Sequence, residues 1–256
     1  MYEKLLKVVT NLGQPRVLLV GDFMLDVYVY GDALRISPEA PVPVLKICRS
    51  QHSCGGAGFV AATLAALGAK PDCIGVIGND HNGQILKEKL TQAGAQIEGL
   101  LGLASRPTTT KQRLIGLAQH RHPQQLIRID QESTLPLSNE IYEQILGIYQ
   151  DKLKQADIVC LQDYNKGLLN SSLCQQMIQL ANKANKRTIV DPSFINDYSR
   201  YNGATVITPN RREASAVVGF EIKTVEAAAK AAEQLASQLN LEAIVITLDK
   251  EGAFLR

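Results

Sequence analysis

The 256-residue sequence has no Cys-x-x-Cys pair, no apolar run long enough to cross a membrane and no marked excess of either charge, and each absence excludes a class of function. Five cysteines (Cys48, Cys54, Cys73, Cys160, Cys174) at irregular spacing argue against zinc, a redox dithiol or a disulfide framework. They are expected to be buried free thiols in a reducing cytoplasm. A net charge of +2 with both signs scattered leaves no basic stripe for nucleic acid and no polybasic patch for a membrane. Met1 to Arg16 alternates apolar and charged residues as an amphipathic helix does, without the apolar run of a signal peptide. Neither a Walker A loop nor a dinucleotide fingerprint follows Gly55-Gly56, and there is no internal repeat or low-complexity segment. Small soluble molecules are the partners that remain.

What is present is the pattern of one α/β domain over residues 1–256, with an apolar content of 45%, sufficient for a substantial core without staples. Strand-length apolar runs at Arg16 to Val20, Ile158 to Gln162, Arg187 to Val190, Thr205 to Thr208 and Ala243 to Thr247 alternate with helical patterns. The helices are clearest at Ser138 to Gln155, Ser171 to Ala184 and Thr224 to Leu239, with a further apolar one at Phe59 to Leu67. This alternation predicts a mostly parallel sheet with helices on both faces. Ligands of such sheets bind beyond the carboxyl ends of the strands, which singles out Asp22, Asp163, Asp191 and Asn210. Two stretches, about 27–48 and 107–129, read instead as inserted antiparallel strand pairs, a lid or a dimerisation sheet, with an ordinary peripheral hairpin as the alternative.

Chemistry is expected first in the turn Gly21-Asp22-Phe23-Met24-Leu25-Asp26, whose carboxylates suit vicinal sugar hydroxyls or, alternatively, an N-cap and a surface charge. In Cys54-Gly55-Gly56-Ala57-Gly58, missing β-carbons allow backbone N–H groups to approach a ligand at a helix start. His52, His81, His120 and His122 match nothing catalytic and read as surface residues, although His120-Arg121-His122 lies in the second insertion, within reach of a phosphate.

Several strings together resemble the ribokinase-like (PfkB) carbohydrate kinases over nearly the whole chain. They are Val20 to Asp26, Tyr30-Gly31, Arg35-Ile36-Ser37-Pro38-Glu39-Ala40-Pro41-Val42-Pro43-Val44, Gln124 to Arg128, Asp163-Tyr164-Asn165-Lys166-Gly167, and Thr208-Pro209-Asn210 with Glu213. Within the family the likeness is greatest to the kinases acting on D-glycero-β-D-manno-heptose 7-phosphate. The resemblance implies a ribokinase-like three-layer sandwich with a small β-sheet lid. It also implies phosphoryl transfer from ATP, with Mg2+, to the C1 hydroxyl of the heptose phosphate, on the route to ADP-heptose and lipopolysaccharide core.

Carried over by position, Asp26 looks like the sugar-hydroxyl ligand, with Asp22 beside it and Gly55-Gly56 as the floor of the sugar site. Lys111 and Arg113 resemble basic lid residues facing an anionic substrate, and Asp163 and Lys166 lie in the string placed near the phosphates. Asp191, Asn210 and Glu213 are similar to the element that organises magnesium and nucleotide phosphates, Glu213 directly or through water, and Thr247 to a nucleotide-contacting threonine. The bland rivals are a turn at Asp191, a solvated charge at Lys166 and a helix cap at Glu213.

Three departures accompany the resemblance. Phe59 stands where the family has an asparagine, and Ser193 follows Asp191-Pro192 where a lysine is usual. The Gly-Ala-Gly-Asp element, whose aspartate is the family's base, does not occur up to Arg256. The chain is therefore expected to be C-terminally truncated and this polypeptide to have little kinase activity of its own, while the intact gene product would have it. The alternatives are another PfkB kinase for a hexose, pentose or nucleoside, and a non-catalytic sugar-phosphate or nucleotide binding protein. A homodimer through the lid strands is expected, and an adenylyltransferase domain follows in bifunctional relatives.

Overall fold

A computed structural model describes residues 6–7, 10–11, 13–118 and 121–256. Its main sheet contains β1 (Arg16–Gly21), β4 (Lys70–Gly78), β5 (Gln96–Leu103), β8 (Ile158–Gln162), β9 (Arg187–Asp191), β10 (Val206–Ile207), β11 (Ala243–Thr247) and β12 (Ala253–Leu255). The spatial order is β12-β11-β10-β9-β8-β1-β4-β5, and every pairing is parallel except β11 with β12. Chain order reverses across β1, which has β4 on one side and β8 on the other, and this reversal opens a crevice beyond the strand ends.

The strands form because their β-branched and leucine residues fill two separate apolar layers. Leu18 and Val20 of β1 point into one layer, and Val17 and Leu19 into the other. The first layer is closed by α3 (Asn139–Leu153), α4 (Ser171–Lys183), α5 (Arg211–Val218) and α6 (Val225–Gln238), the second by α1 (Ala57–Ala66) and α2 (His81–Gln92). In α4 the apolar residues Leu173, Cys174, Met177, Ile178 and Ala181 share one face and are all buried, each large one contributing about 1.5–3 kcal/mol. Asn170 starts that helix by accepting the Leu173 N–H at 2.8 Å. The three-layer α/β sandwich expected from the alternation is the observed fold.

A second sheet holds β2 (Phe23–Ile36), β3 (Pro43–Gly56), β6 (Thr110–Ala118) and β7 (Arg121–Gln131) in the order β3-β2-β6-β7. Both inserted pairs are antiparallel as predicted, and β2 joins them by running parallel to β6. The strands extend further toward the main sheet than expected. The predicted turn Gly21 to Asp26 is a direct passage from β1 into β2, with only Asp22 between the strands. Phe23 and Leu25 are buried against α1 and α2, and the Leu25 N–H donates to the Thr109 carbonyl, which draws the chain straight into the second sheet.

Other expectations need correction. Cys73, Cys160 and Cys174 are buried free thiols, but Cys54 is half-buried and Cys48 is exposed, because β3 is an edge strand with a largely solvent-facing run. The strand over Thr205 to Thr208 contracts to Val206–Ile207, with the Thr208 N–H donating to the Val190 carbonyl and its hydroxyl to Asp191. His81 and His122 are exposed, His52 is partly buried, and His120 lies outside the described residues. Half of the Met1 to Arg16 segment also lies outside them, with Leu6, Lys7 and Thr10 helical and β1 already beginning at Arg16. Among the described residues no helix is long and apolar enough to cross a membrane.

Candidate functional site

At the β1/β8 switch, Asp22 is 5% exposed and its Oδ2 accepts the backbone N–H groups of Tyr164 at 2.8 Å and Lys166 at 3.2 Å. Burial and, secondarily, the Asp163 charge outweigh these bonds and push its pKa up to about 6. The loop that Asp22 holds is the Asp163-Tyr164-Asn165-Lys166-Gly167 string, whose sequence follows from its backbone. Asn165 has φ 56° and Gly167 φ 89°, conformations that asparagine and glycine tolerate best. Asp163 Oδ1 accepts the Asn165 N–H at 2.7 Å, while Oδ2 accepts the Tyr201 hydroxyl at 2.6 Å and Arg200 at 3.2 Å. The Asp163 side chain has 0% exposure, so it builds the loop and offers no open oxygen to a substrate, contrary to its expected place among substrate-binding groups. Lys166 does reach the surface of the cavity, where its ammonium pairs with Glu132 at 2.7 Å.

In the second sheet, the parallel register pairs Asp26 with Lys111 and Tyr28 with Arg113, so period-two alternation sets all four on one face. Arg113 donates to Asp26 Oδ1 at 2.7 Å, which raises the arginine's pKa, and its guanidinium lies 5.0 Å from the Tyr28 ring centroid. Lys111 Nζ stands 6.0 Å from the Tyr164 ring centroid and so faces the Asp22-held loop. Gly55 is required here, because a β-carbon would lie 2.7 Å from Asp26 Oδ2. Gly56, at φ 53°, precedes α1, whose first N–H, from Ala57, donates to the Asp22 carbonyl. Asp22, Asp26, Gly55, Gly56, Lys111, Arg113 and Lys166 thus converge around the switch.

Beyond β8 and β9 lies a cavity of about 360 Å3 lined by Asp163, Tyr164, Lys166, Asp191, Ser193, Phe194 and Glu213, among others. Asp191 Oδ1 accepts the Thr208 hydroxyl at 2.9 Å. Burial raises the pKa of Asp191, and burial followed by the nearby Asp191 charge raises that of Glu213. Asn210 and Glu213 form a capping box on α5, Asn210 Oδ1 accepting the Glu213 N–H at 2.9 Å and Glu213 Oε2 the Asn210 N–H at 2.8 Å. The helix-cap reading of Glu213 is therefore correct, and its carboxylate still lines the cavity. Thr247 is exposed and bridges Asn210 backbone to backbone, so these nucleotide-side candidates share one edge.

Sequence reasoning missed Arg106, Arg200 and Tyr201, because their roles depend on loops distant in sequence. Arg106 donates to the carbonyls of Ser133 and Lys166, while Arg200 pairs with Asp163 and the Tyr201 hydroxyl donates to it. Phe59 is 64% exposed on α1, so its ring stands mainly in solvent and does not close the site. Ser193, at the lysine position, is buried and its N–H donates to the Tyr201 hydroxyl at 3.3 Å.

The sequence matches the description "pfkB family carbohydrate kinase" over residues 14–256. It is 44% identical to the bifunctional protein HldE of Desulfatibacillum aliphaticivorans over 237 residues, covering 93% of this chain and 47% of that protein. It is 41% identical to the bifunctional protein HldE of Wolinella succinogenes, covering 93% and 49%. The chain thus spans about half the length of the curated relatives it matches. Among solved structures, Arabidopsis thaliana ribokinase complexed with ribose and ATP superposes with a TM-score of 0.68 at 20% identity, covering 94% of this chain and 74% of that one. Phosphofructokinase-2 from Escherichia coli in complex with fructose-6-phosphate gives 0.72 at 19% identity, covering 95% and 77%.

Proposed function

Because the chain belongs to the pfkB family of carbohydrate kinases, we propose that it binds D-glycero-β-D-manno-heptose 7-phosphate under the lid and serves phosphoryl transfer from ATP to its C1 hydroxyl. One observation carries this reading: Asp26, a hydroxyl acceptor, is held by Arg113 at 2.7 Å with Lys111 on the same lid face, beside the Asp22 corner. The carboxylate suits sugar hydroxyls, and the two cations suit a substrate that already bears a phosphate. HldE relatives at 44% and 41% identity favour a heptose phosphate over other sugars.

ATP is assigned to the cavity edge formed by Asp191, Asn210, Glu213 and Thr247, with Lys166 between nucleotide and sugar. Two carboxylates there, whose negative charges oppose each other's ionisation, are a donor set suited to Mg2+, which takes one or two carboxylates, water and phosphate oxygens. When bound, Mg2+ supplies charge neutralisation for the phosphates. Asp22 orients the loop of Lys166, and the lid excludes water from the sugar. No proton acceptor is assigned within these 256 residues, so the reading concerns binding and positioning. The free thiols fit a cytoplasmic setting. Leu34, Ile36 and Ile47 on β2 and β3, with Leu126, Ile127 and Ile129 on β7, are exposed and suit a homodimer through the lid.

Calorimetric titration with the heptose 7-phosphate, alongside fructose 6-phosphate, ribose and adenosine, tests the assignment, with ADP release measured on the protein as it occurs in its cell. Selective binding and turnover of the heptose phosphate is expected. Preference for another acceptor would replace the substrate while leaving the family unchanged.

A further inference from the structure

We propose that Arg106 is a positioning residue: its guanidinium locks the loop carrying Lys166 against the segment carrying Glu132, and so sets where the Lys166 ammonium stands in the cavity. The consequence for ligand binding rests on the sugar-kinase reading, whereas the lock itself does not.

Arg106 lies between β5 and β6, outside every string that marks the family. Its Nη2 donates to the carbonyls of Ser133 and of Lys166, the latter at 2.7 Å. These two acceptors adjoin or belong to the partners of one ion pair, Lys166 Nζ with Glu132 at 2.7 Å. On the opposite side of the same loop, Asp22 accepts the N–H groups of Tyr164 and Lys166. A carboxylate therefore takes the loop's donors and a guanidinium takes its acceptor, which fixes the peptide at Lys166 from both directions. Tyr142 adds a second link across the same seam, its hydroxyl donating to the Gly167 carbonyl at 2.7 Å and accepting the Leu137 N–H.

No carboxylate forms an ion pair with Arg106 among the described residues, and its Nη1 is buried without a partner. Such a group is costly to keep unless its charge is useful. The charge that Arg106 faces most strongly is Asp22, with Tyr142 behind it, while Asp22 itself faces Asp163 and Arg106. Burial and the Asp163 charge raise the pKa of Asp22 and Arg106 lowers it, so the arginine offsets part of the cost of ionising the carboxylate that holds the loop. A lysine would keep the charge, but its shorter side chain and freely rotating ammonium do not hold one nitrogen at the fixed position between the two carbonyls that Nη2 occupies.

Amide hydrogen exchange of the unliganded protein, followed by mass spectrometry between pH 5 and pH 8, separates the two hydrogen bonds of Nη2 from the charge. In both Arg106→Lys and Arg106→Gln, the segments around 130–135 and 163–168 are expected to exchange about tenfold faster while β1 keeps its protection. In Arg106→Gln the loss of 163–168 protection as pH rises through the Asp22 range should extend to higher pH than in the parent, whereas Arg106→Lys should leave it in place. Glu132→Ala breaks the ion pair alone and should leave backbone protection of 163–168 unchanged. Parent-like exchange in both Arg106 variants, uniform loosening of the whole chain, or a Glu132→Ala effect as large as that of Arg106→Lys would each overturn the proposal. A parallel titration with the heptose 7-phosphate should show about tenfold weaker binding for Arg106→Lys. If the parent itself fails to bind, the substrate reading falls and the exchange result still decides the role of Arg106.

Discussion

The two halves of the main sheet have similar sequences and different surroundings. In β1 all residues from Val17 to Gly21 are buried, because helices cover both faces. In β9, β10 and β11 one face is buried through Val190, Ile207, Ile244 and Ile246, while Ile189, Val206 and Val245 on the other are only half-buried. The site follows the same division. Asp22 and Asp26 at the covered half are held by several fixed partners, whereas Asn210 and Thr247 at the half with one open face are exposed. The Asp22 and Asp26 side is therefore pre-formed, and the Asn210 and Thr247 side is the more open of the two.

The largest test of this contrast is a pair of core truncations followed by urea unfolding. Ile74→Ala, at a position with 0% exposure on the covered half, should cost about 4 kcal/mol, and Val245→Ala about 1 kcal/mol. Equal costs would mean that the second face of β11 is covered in solution. Next in size is Asp163→Asn, which removes the charge opposite Arg200 and weakens the bond from Tyr201; a loss of about 3 kcal/mol is expected. A loss of heptose-phosphate affinity at unchanged stability would instead make Asp163 a ligand group.

Asp22 sharpens the comparison through pH. Its pKa is about 6 in the folded chain against an ordinary value of 3.8. An acid whose pKa is raised by folding contributes stability below its unfolded value, and that contribution is lost as pH rises through the folded one. About 2–3 kcal/mol should therefore disappear between pH 4 and pH 6. Asp22→Asn should flatten that part of the stability profile and weaken sugar-phosphate binding. A stability profile unchanged by the substitution would show that Asp22 is not the titrating group.

Much of this was readable from residue order, and what was not has a physical cause. The parallel sheet, its helices and the inserted strand pairs follow from hydrophobic period, which needs only neighbours in sequence. The passage at Asp22 was misread as a turn because a Gly-Asp pair suggests a break, while the burial of Phe23 and Leu25 against distant helices continues the chain as strand. Asp26 and Arg113 were each identifiable, but their 2.7 Å pairing depends on β2 running parallel to β6, which no local pattern encodes. Arg106 escaped for the same reason, its acceptors lying 27 and 60 residues away. Asp163 was expected among the substrate-binding groups, and its bonds to Asn165, Tyr201 and Arg200 could not be foreseen, because a carboxylate after a strand has the same signature whether it faces a ligand or holds its own loop.

The smallest effect separates two roles that coincide in Glu213. Its carboxylate closes the capping box with Asn210 and also lines the cavity near Asp191. Glu213→Gln keeps an acceptor for the Asn210 N–H and removes the charge, so stability should change by no more than about 0.5 kcal/mol. Asn210→Ala removes the cap and should cost about 1 kcal/mol by thermal unfolding. If the open edge holds Mg2+ with the nucleotide, Glu213→Gln should weaken MgATP binding measured by calorimetry far more than it weakens the fold. Retained MgATP affinity would leave Glu213 as a helix cap alone and shift the metal's anchoring to Asp191, whose Oδ2 accepts no hydrogen bond from the described residues.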